Sequence, residues 1–173
     1  GWSRSPQWFQ AFTAHIAKIC RSEYNFRVVV YLDDFLVMGS SQEEAEQNTR
    51  ILVRLLQHFG FTPNWTKSKL LPAQRREFLG TIIDSVAMAL SVPQAKLKKY
   101  RQAARRLLRR ARQSTPIRLV DLQSMVGQLQ SCSQCIPLCR MRMAGLFRAL
   151  RDAVRFAQPV TLDFEATEDL ESW

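Results

Sequence analysis

Between residues 85 and 120 the chain has no acidic side chain, while ten basic ones fall there: Lys96, Lys98, Lys99, Arg101, Arg105, Arg106, Arg109, Arg110, Arg112 and Arg118. Of 25 Lys plus Arg in all, 15 therefore remain elsewhere, against 15 Asp plus Glu, so this one segment carries the whole net charge of +10. Long apolar runs are as scarce. The longest, residues 28–32, falls far short of the ~18 residues a bilayer span needs, so no membrane partner is expected. No basic, apolar leader follows Gly1, which reads as an excised piece of a longer chain without a secretory signal. Four cysteines, three of them clustered, are too few for a secreted disulfide framework and predict a reducing, intracellular setting, cytoplasm or nucleus. Internal repeats, glycine-rich phosphate loops and a Ser-His-Asp arrangement are missing too. What is present, 46% hydrophobic and 23% charged residues, suffices to bury a core of one or at most two small domains and excludes wholesale disorder.

Apolar residues Phe9, Phe12, Ile16 and Ile19 recur at steps of three and four, and with Pro6 as a starter they predict a helix over residues 6–22. Residues 27–31 and 35–38 read as two strands around Asp33 and Asp34, a hairpin with acids at its tip. Ser41 with Glu44 makes a capping box for a helix that Gly60 stops. Residues 61–76 read as loop with at most a short strand at 68–71, and residues 78–83 and 88–92 as two strands around a turn. The basic segment is then a helix over residues 94–113, with a narrow apolar stripe of Leu97, Tyr100, Ala104, Leu107 and Ala111. Helices from Val120 and over residues 141–156 follow, and the acidic stretch after Pro159 reads as a loosely held tail. The expected class is α+β, mixed at first and all-helical after residue 93, with a domain cut at Val92 and Pro93.

Adjacent carboxylates raise each other's pKa unless something positive sits between them, and a divalent cation is the usual remedy. Mg²⁺ takes one or two protein carboxylates and keeps its other positions for phosphate oxygens and water, the setting of nucleotidyl transfer. A solvated turn is the alternative reading of Asp33 and Asp34. Lys96, Lys98, Lys99, Arg101, Arg105, Arg106, Arg109, Arg110 and Arg112 form a cationic helix with no acid interspersed, which predicts sequence-independent contact with a nucleic-acid backbone rather than a merely solvated face. Cys132, Cys135 and Cys139 lack a fourth ligand at a suitable spacing and read as helical thiols rather than a zinc site.

The string Tyr31, Leu32, Asp33, Asp34 resembles the Tyr-x-Asp-Asp signature of reverse transcriptases, and other parts of that family's pattern follow in order. Gly1, Trp2, Ser5, Pro6, Phe9 and Gln10 resemble the Gly-Trp-x-x-Ser-Pro-x-x-Phe-Gln segment beside the incoming nucleotide. Asn64, Lys67 and Ser68 resemble the loop after the palm helix, and Phe78, Leu79 and Gly80 the Phe-Leu-Gly of the primer grip. The wording is most similar to retrotransposons of the tyrosine-recombinase (DIRS) group, over about residues 1–150.

The resemblance implies a right-hand polymerase: residues 1–92 as the C-terminal half of a palm, 93–150 as a helical thumb, 151–173 as acidic tail or linker. It implies Asp33 and Asp34 as metal-binding catalytic acids for Mg²⁺ (or Mn²⁺), with no candidate here for the family's third aspartate. It also implies Lys67 as a proton donor to pyrophosphate, with an ordinary loop lysine as the alternative. Gly1, Trp2, Ser5, Pro6, Gln10 and Tyr31 would line the nucleotide, Trp2 and Tyr31 being alternatively plain core. Phe78, Leu79 and Gly80 would hold the primer. The partners implied are an RNA or DNA template-primer, a deoxynucleoside triphosphate, and the missing fingers and RNase H or other domains of a parent polyprotein. The competing function is a catalytically silent module that binds nucleic acid or protein.

Overall fold

A computed structural model describes residues 3–113, 115–156 and 159–173. The expected α+β class holds: antiparallel hairpins and six α-helices among the described residues. The chain divides into two compact units, Gly1–Leu79 and Gly80–Trp173. Strands β4 (Thr81–Asp84) and β5 (Ala89–Ser91) lie within the second unit.

In the first unit, α1 (Ser5–Ser22) carries Pro6 in its first turn, where a missing N–H goes unnoticed. Strands β1 (Val28–Tyr31) and β2 (Asp34–Val37) pair antiparallel with Val28 opposite Val37 and Tyr31 opposite Asp34. Helix α2 (Gln42–His58) begins at Ser41, whose hydroxyl accepts from the Glu44 N–H, while Glu44 accepts from Ser40 N–H at 2.8 Å. That backbone N–H holds the Glu44 carboxyl below the usual carboxylate range. Gly60, at φ +83, lets the chain leave the helix. Ile16, Ala17, Cys20, Phe26, Val28 and Leu52 form the core between the two helices and the hairpin. Each such fully buried aliphatic contributes on the order of 1.5–3 kcal/mol. The strand of this unit's last segment is β3 (Arg75–Phe78); residues 68–71 form none.

The second unit opens with β4 and β5, antiparallel with Ile82 opposite Ser91. Residues 78–83 are thus not one strand. Leu79 and Gly80 both have positive φ, +49 and +72, the combination of a type I′ two-residue hairpin turn. Four helices follow: α3 (Gln94–Arg112), α4 (Leu119–Gln130), α5 (Ala144–Phe156, preceded by a 3-10 turn at Met141–Met143) and α6 (Phe164–Glu171). The stripe of α3 supplies Ala104 and Leu107 to a core completed by Leu122, Met125, Leu129, Met143 and Leu146.

The tail expectation fails. Asp163 caps α6 by accepting from Ala166 N–H at 2.8 Å, and Ala166 and Leu170 enter the core at 0% and 2% exposure. The acids that give the segment its solvated look have specific partners: Asp169 accepts from Leu146 N–H at the start of α5, Glu165 pairs with Arg148 and Glu171 with Arg112, both at 2.7 Å. A Cβ on Gly145 would crowd the Ala166 backbone, so the α5–α6 crossing depends on that glycine. Cys132 and Cys139 are buried, and burial pushes both thiols up; Cys139 Sγ donates to the Leu129 carbonyl. Among the described residues no helix is long and apolar enough to cross a membrane.

Candidate active-site turn and basic helix

Tyr31 pairs with Asp34 across the hairpin, so the turn itself is only Leu32 and Asp33. Leu32 sits at φ +51, a left-handed conformation that costs an L-residue roughly 1–2 kcal/mol. One side chain meets it there. Gln10, Thr13, Ala17 and Cys20 follow at steps of three and four along the face of α1 that meets the sheet. Gln10 thereby reaches the turn, and its Oε1 accepts the Leu32 N–H at 2.5 Å. At the other end of the helix Arg21 donates to the Val28 carbonyl at 2.6 Å, so α1 grips the hairpin at both ends.

Asp33 and Asp34 are both exposed, and no hydrogen bond or ion pair among the described residues engages either carboxylate. Their oxygens suit a hard divalent cation, which typically takes one or two carboxylates and completes its shell with water or phosphate. Among the described residues no third acid, histidine or cysteine gathers with them into a metal-holding group. Tyr31 is 56% exposed beside them, so it is not core packing.

The other sequence-derived residues lie as follows. Ser5 and Pro6 are exposed at the start of α1, and Gly1 and Trp2 lie outside the described residues. Lys67 is exposed in an Asn64-centred turn, its backbone N–H bonded to Asn64. No hydrogen bond or ion pair among the described residues links it to Asp33 or Asp34. Phe78 is half-buried, Leu79 is 50% exposed, and the Gly80 carbonyl accepts from Lys96 Nζ at 2.9 Å.

The nine cations of α3 are not one face. Arg101 donates to the Trp173 carbonyl, Arg110 pairs with Asp121 at 3.1 Å, Arg112 with Glu171, and Lys96 with Gly80. Lys98, Arg105 and Arg109, at steps of seven and four, form an exposed row, with Lys99 and Arg106 beside it. Sequence reasoning treats all nine alike because it has no view of the C-terminal segment, where the Glu171 carboxylate and the Trp173 carbonyl engage two of them. It also misses the backbone of Leu32 and Leu79; a two-residue gap between strands is the available signal.

Residues 1–83 match the family described as reverse transcriptase (RNA-dependent DNA polymerase). Over these residues the chain is similar to a reverse transcriptase. The chain is 26% identical over 152 residues to the Gag-Pro-Pol polyprotein of Human T-cell leukemia virus 2, covering 87% of this chain and 9% of that protein. The counterpart from Human T-cell leukemia virus 3 (strain Pyl43) gives 26% over 153 residues with the same coverage. A solved foamy viral protease-reverse transcriptase, in complex with double-stranded DNA, superposes with a TM-score of 0.68 at 19% identity. That match covers 97% of this chain and 26% of the viral one. The chain thus spans a small part of its relatives' length. These relatives are retroviral, and nothing in them supports the narrower resemblance to tyrosine-recombinase retrotransposons.

Proposed function

We propose that this chain is part of an RNA-directed DNA polymerase, extending a primer 3′ hydroxyl with deoxynucleoside triphosphates. The observation that carries the reading is the uncompensated pair Asp33 and Asp34 at a two-residue turn within the segment that matches the family. Residues 1–92 act as palm, 93–150 as thumb. Asp33 and Asp34 would hold the Mg²⁺ or Mn²⁺. When bound, such an ion lowers the pKa of the attacking hydroxyl and offsets charge on the leaving oxygen. Asp33 supplies its carboxylate from the turn and Asp34 from the first position of β2. Gln10 orients the turn through the Leu32 amide. Tyr31, exposed beside the acids, offers an aromatic face to the primer or nucleotide. The row Lys98, Arg105 and Arg109 contacts phosphates without reading bases. In this reading the segment works together with fingers and further domains of a longer protein.

The direct test is primer extension by the full-length polymerase containing this chain. Asp33→Asn is expected to abolish extension while leaving template-primer binding intact; normal extension by that variant removes the metal role and leaves the silent binding module. The binding side is tested on the 173-residue chain with duplex DNA at several salt concentrations. Replacing Lys98, Arg105 and Arg109 by Gln is expected to lower the log-log salt slope by about 0.9 for each phosphate no longer neutralised. Replacing Arg110 and Arg112, already paired with acids, is expected to change it less. Equal changes would return the whole helix to a solvated surface.

A further inference from the structure

Lys96 stands apart from the rest of the cationic helix. Counting along α3, Lys96 precedes Tyr100, Ala103 and Leu107 by four, seven and eleven residues, so it lies on the margin of the inward stripe, whereas Lys98, Arg105 and Arg109 occupy the opposite, exposed face. It is half-buried where they are exposed. Its ammonium donates to the Gly80 carbonyl at 2.9 Å, a charge-assisted bond of the stronger kind. A Cβ at Gly80 would run into the Lys96 side chain, so glycine is needed there for the lysine's approach as well as for φ +72.

We propose that Lys96 is a positioning residue, which ties the first turn of the basic helix to the Leu79 and Gly80 turn and fixes the peptide that would meet the primer terminus, rather than a phosphate contact. The inference rests on the reading of that turn as the primer-holding one. The chemistry suits the task. A lysine bonded to a carbonyl keeps its charge but has one of its three donors committed and its ammonium held at the turn, and it transmits any displacement of α3 to the turn. The primer end would then be placed only when the helix that grips the duplex is itself in place.

Two experiments separate this from a phosphate contact. In the 173-residue chain, Lys96→Met is expected to shift the Gly80 carbonyl carbon resonance and leave the duplex salt slope unchanged, whereas Lys98→Met is expected to lower the slope by about 0.9 and leave that resonance alone. In the full-length polymerase, Lys96→Met is expected to lower kcat by about ten- to a hundredfold, the effect of a small misplacement of a reacting end. The KM for the nucleotide is expected to stay nearly constant, and Lys96→Arg, which keeps the donor and folds if Met does not, is expected to restore most of kcat. A fall in slope for Lys96→Met equal to that of Lys98→Met, with an unmoved Gly80 resonance, overturns the proposal. If Asp33→Asn extends primers normally, the polymerase reading fails, and the Gly80 resonance still decides whether the clamp exists.

Discussion

Two turns, one in each resemblance-bearing hairpin, hold a leucine in the left-handed region: Leu32 at φ +51 and Leu79 at φ +49. Each is met by a helix side chain, but the two clamps have opposite chemistry. Gln10 accepts the Leu32 N–H with a neutral oxygen; Lys96 donates an N–H of its charged ammonium to the Gly80 carbonyl. The neighbours explain the difference. Beside Asp33 and Asp34 an ammonium would pair with the carboxylates and compete with any divalent cation, so the clamp there must be uncharged. The second turn has no acid in it, and a cation there does no harm where a nucleic-acid backbone would pass. Left-handed backbone is not itself the mark, since Met88 and Leu138 share it. What distinguishes the two turns is a hydrogen bond made by a helix side chain beside a strained leucine, the kind of over-determination that lets strain persist at working sites.

Exchanging the clamps is the strongest way to break this comparison. Gln10→Lys removes the acceptor for Leu32 N–H and brings an ammonium to the acids. Primer extension by the full-length polymerase is expected to fall by about a hundredfold or more, with a higher divalent-cation concentration needed for half-maximal rate. Unchanged cation dependence would mean that the neutrality of Gln10 has no bearing on the acids. A smaller effect is expected from Gly80→Ala, which strains the backbone at φ +72 and crowds Lys96. Chemical denaturation of the 173-residue chain should show a loss of about 1–2 kcal/mol, and Leu79→Gly, which meets no such strain, should lose less. A Gly80→Ala variant as stable as the original chain would show that the turn is not held as described.

How far the sequence carries each turn differs for physical reasons. The acid turn is legible because two apolar strands flank it and the acids interrupt them. The second turn is hidden within an apparent strand over residues 78–83, because Leu79 resembles a strand residue and only its backbone torsion reveals the reversal. The core stripe of α3 is legible from its period. The fates of its cations are not, because they depend on Asp121, Glu171 and the Trp173 carbonyl, partners separated from them in sequence. The place of residue 96 on the margin of the stripe follows from the same period. The acidic terminal segment is misjudged since composition counts charges and cannot count caps: Asp163 and Asp169 each accept a backbone N–H, and Ala166 with Leu170 is too short an apolar pattern to stand out.

The finest distinction concerns whether Gln10 holds Leu32 in its strained state or simply fills space. Gln10→Ala removes one hydrogen bond at a half-buried site, which predicts a loss of about 1 kcal/mol in chemical denaturation of the 173-residue chain. Leu32→Gly relieves the left-handed strain while loosening the unfolded chain, two effects of similar size and opposite sign, so it should be nearly neutral. The informative quantity is the double variant. If Gln10 acts by holding the left-handed peptide, glycine at position 32 keeps that conformation without help, and Gln10→Ala should cost measurably less in the Leu32→Gly background than alone. If Gln10 merely packs, the two losses add, and the contrast between a clamped acid turn and a clamped Leu79 turn loses its first member.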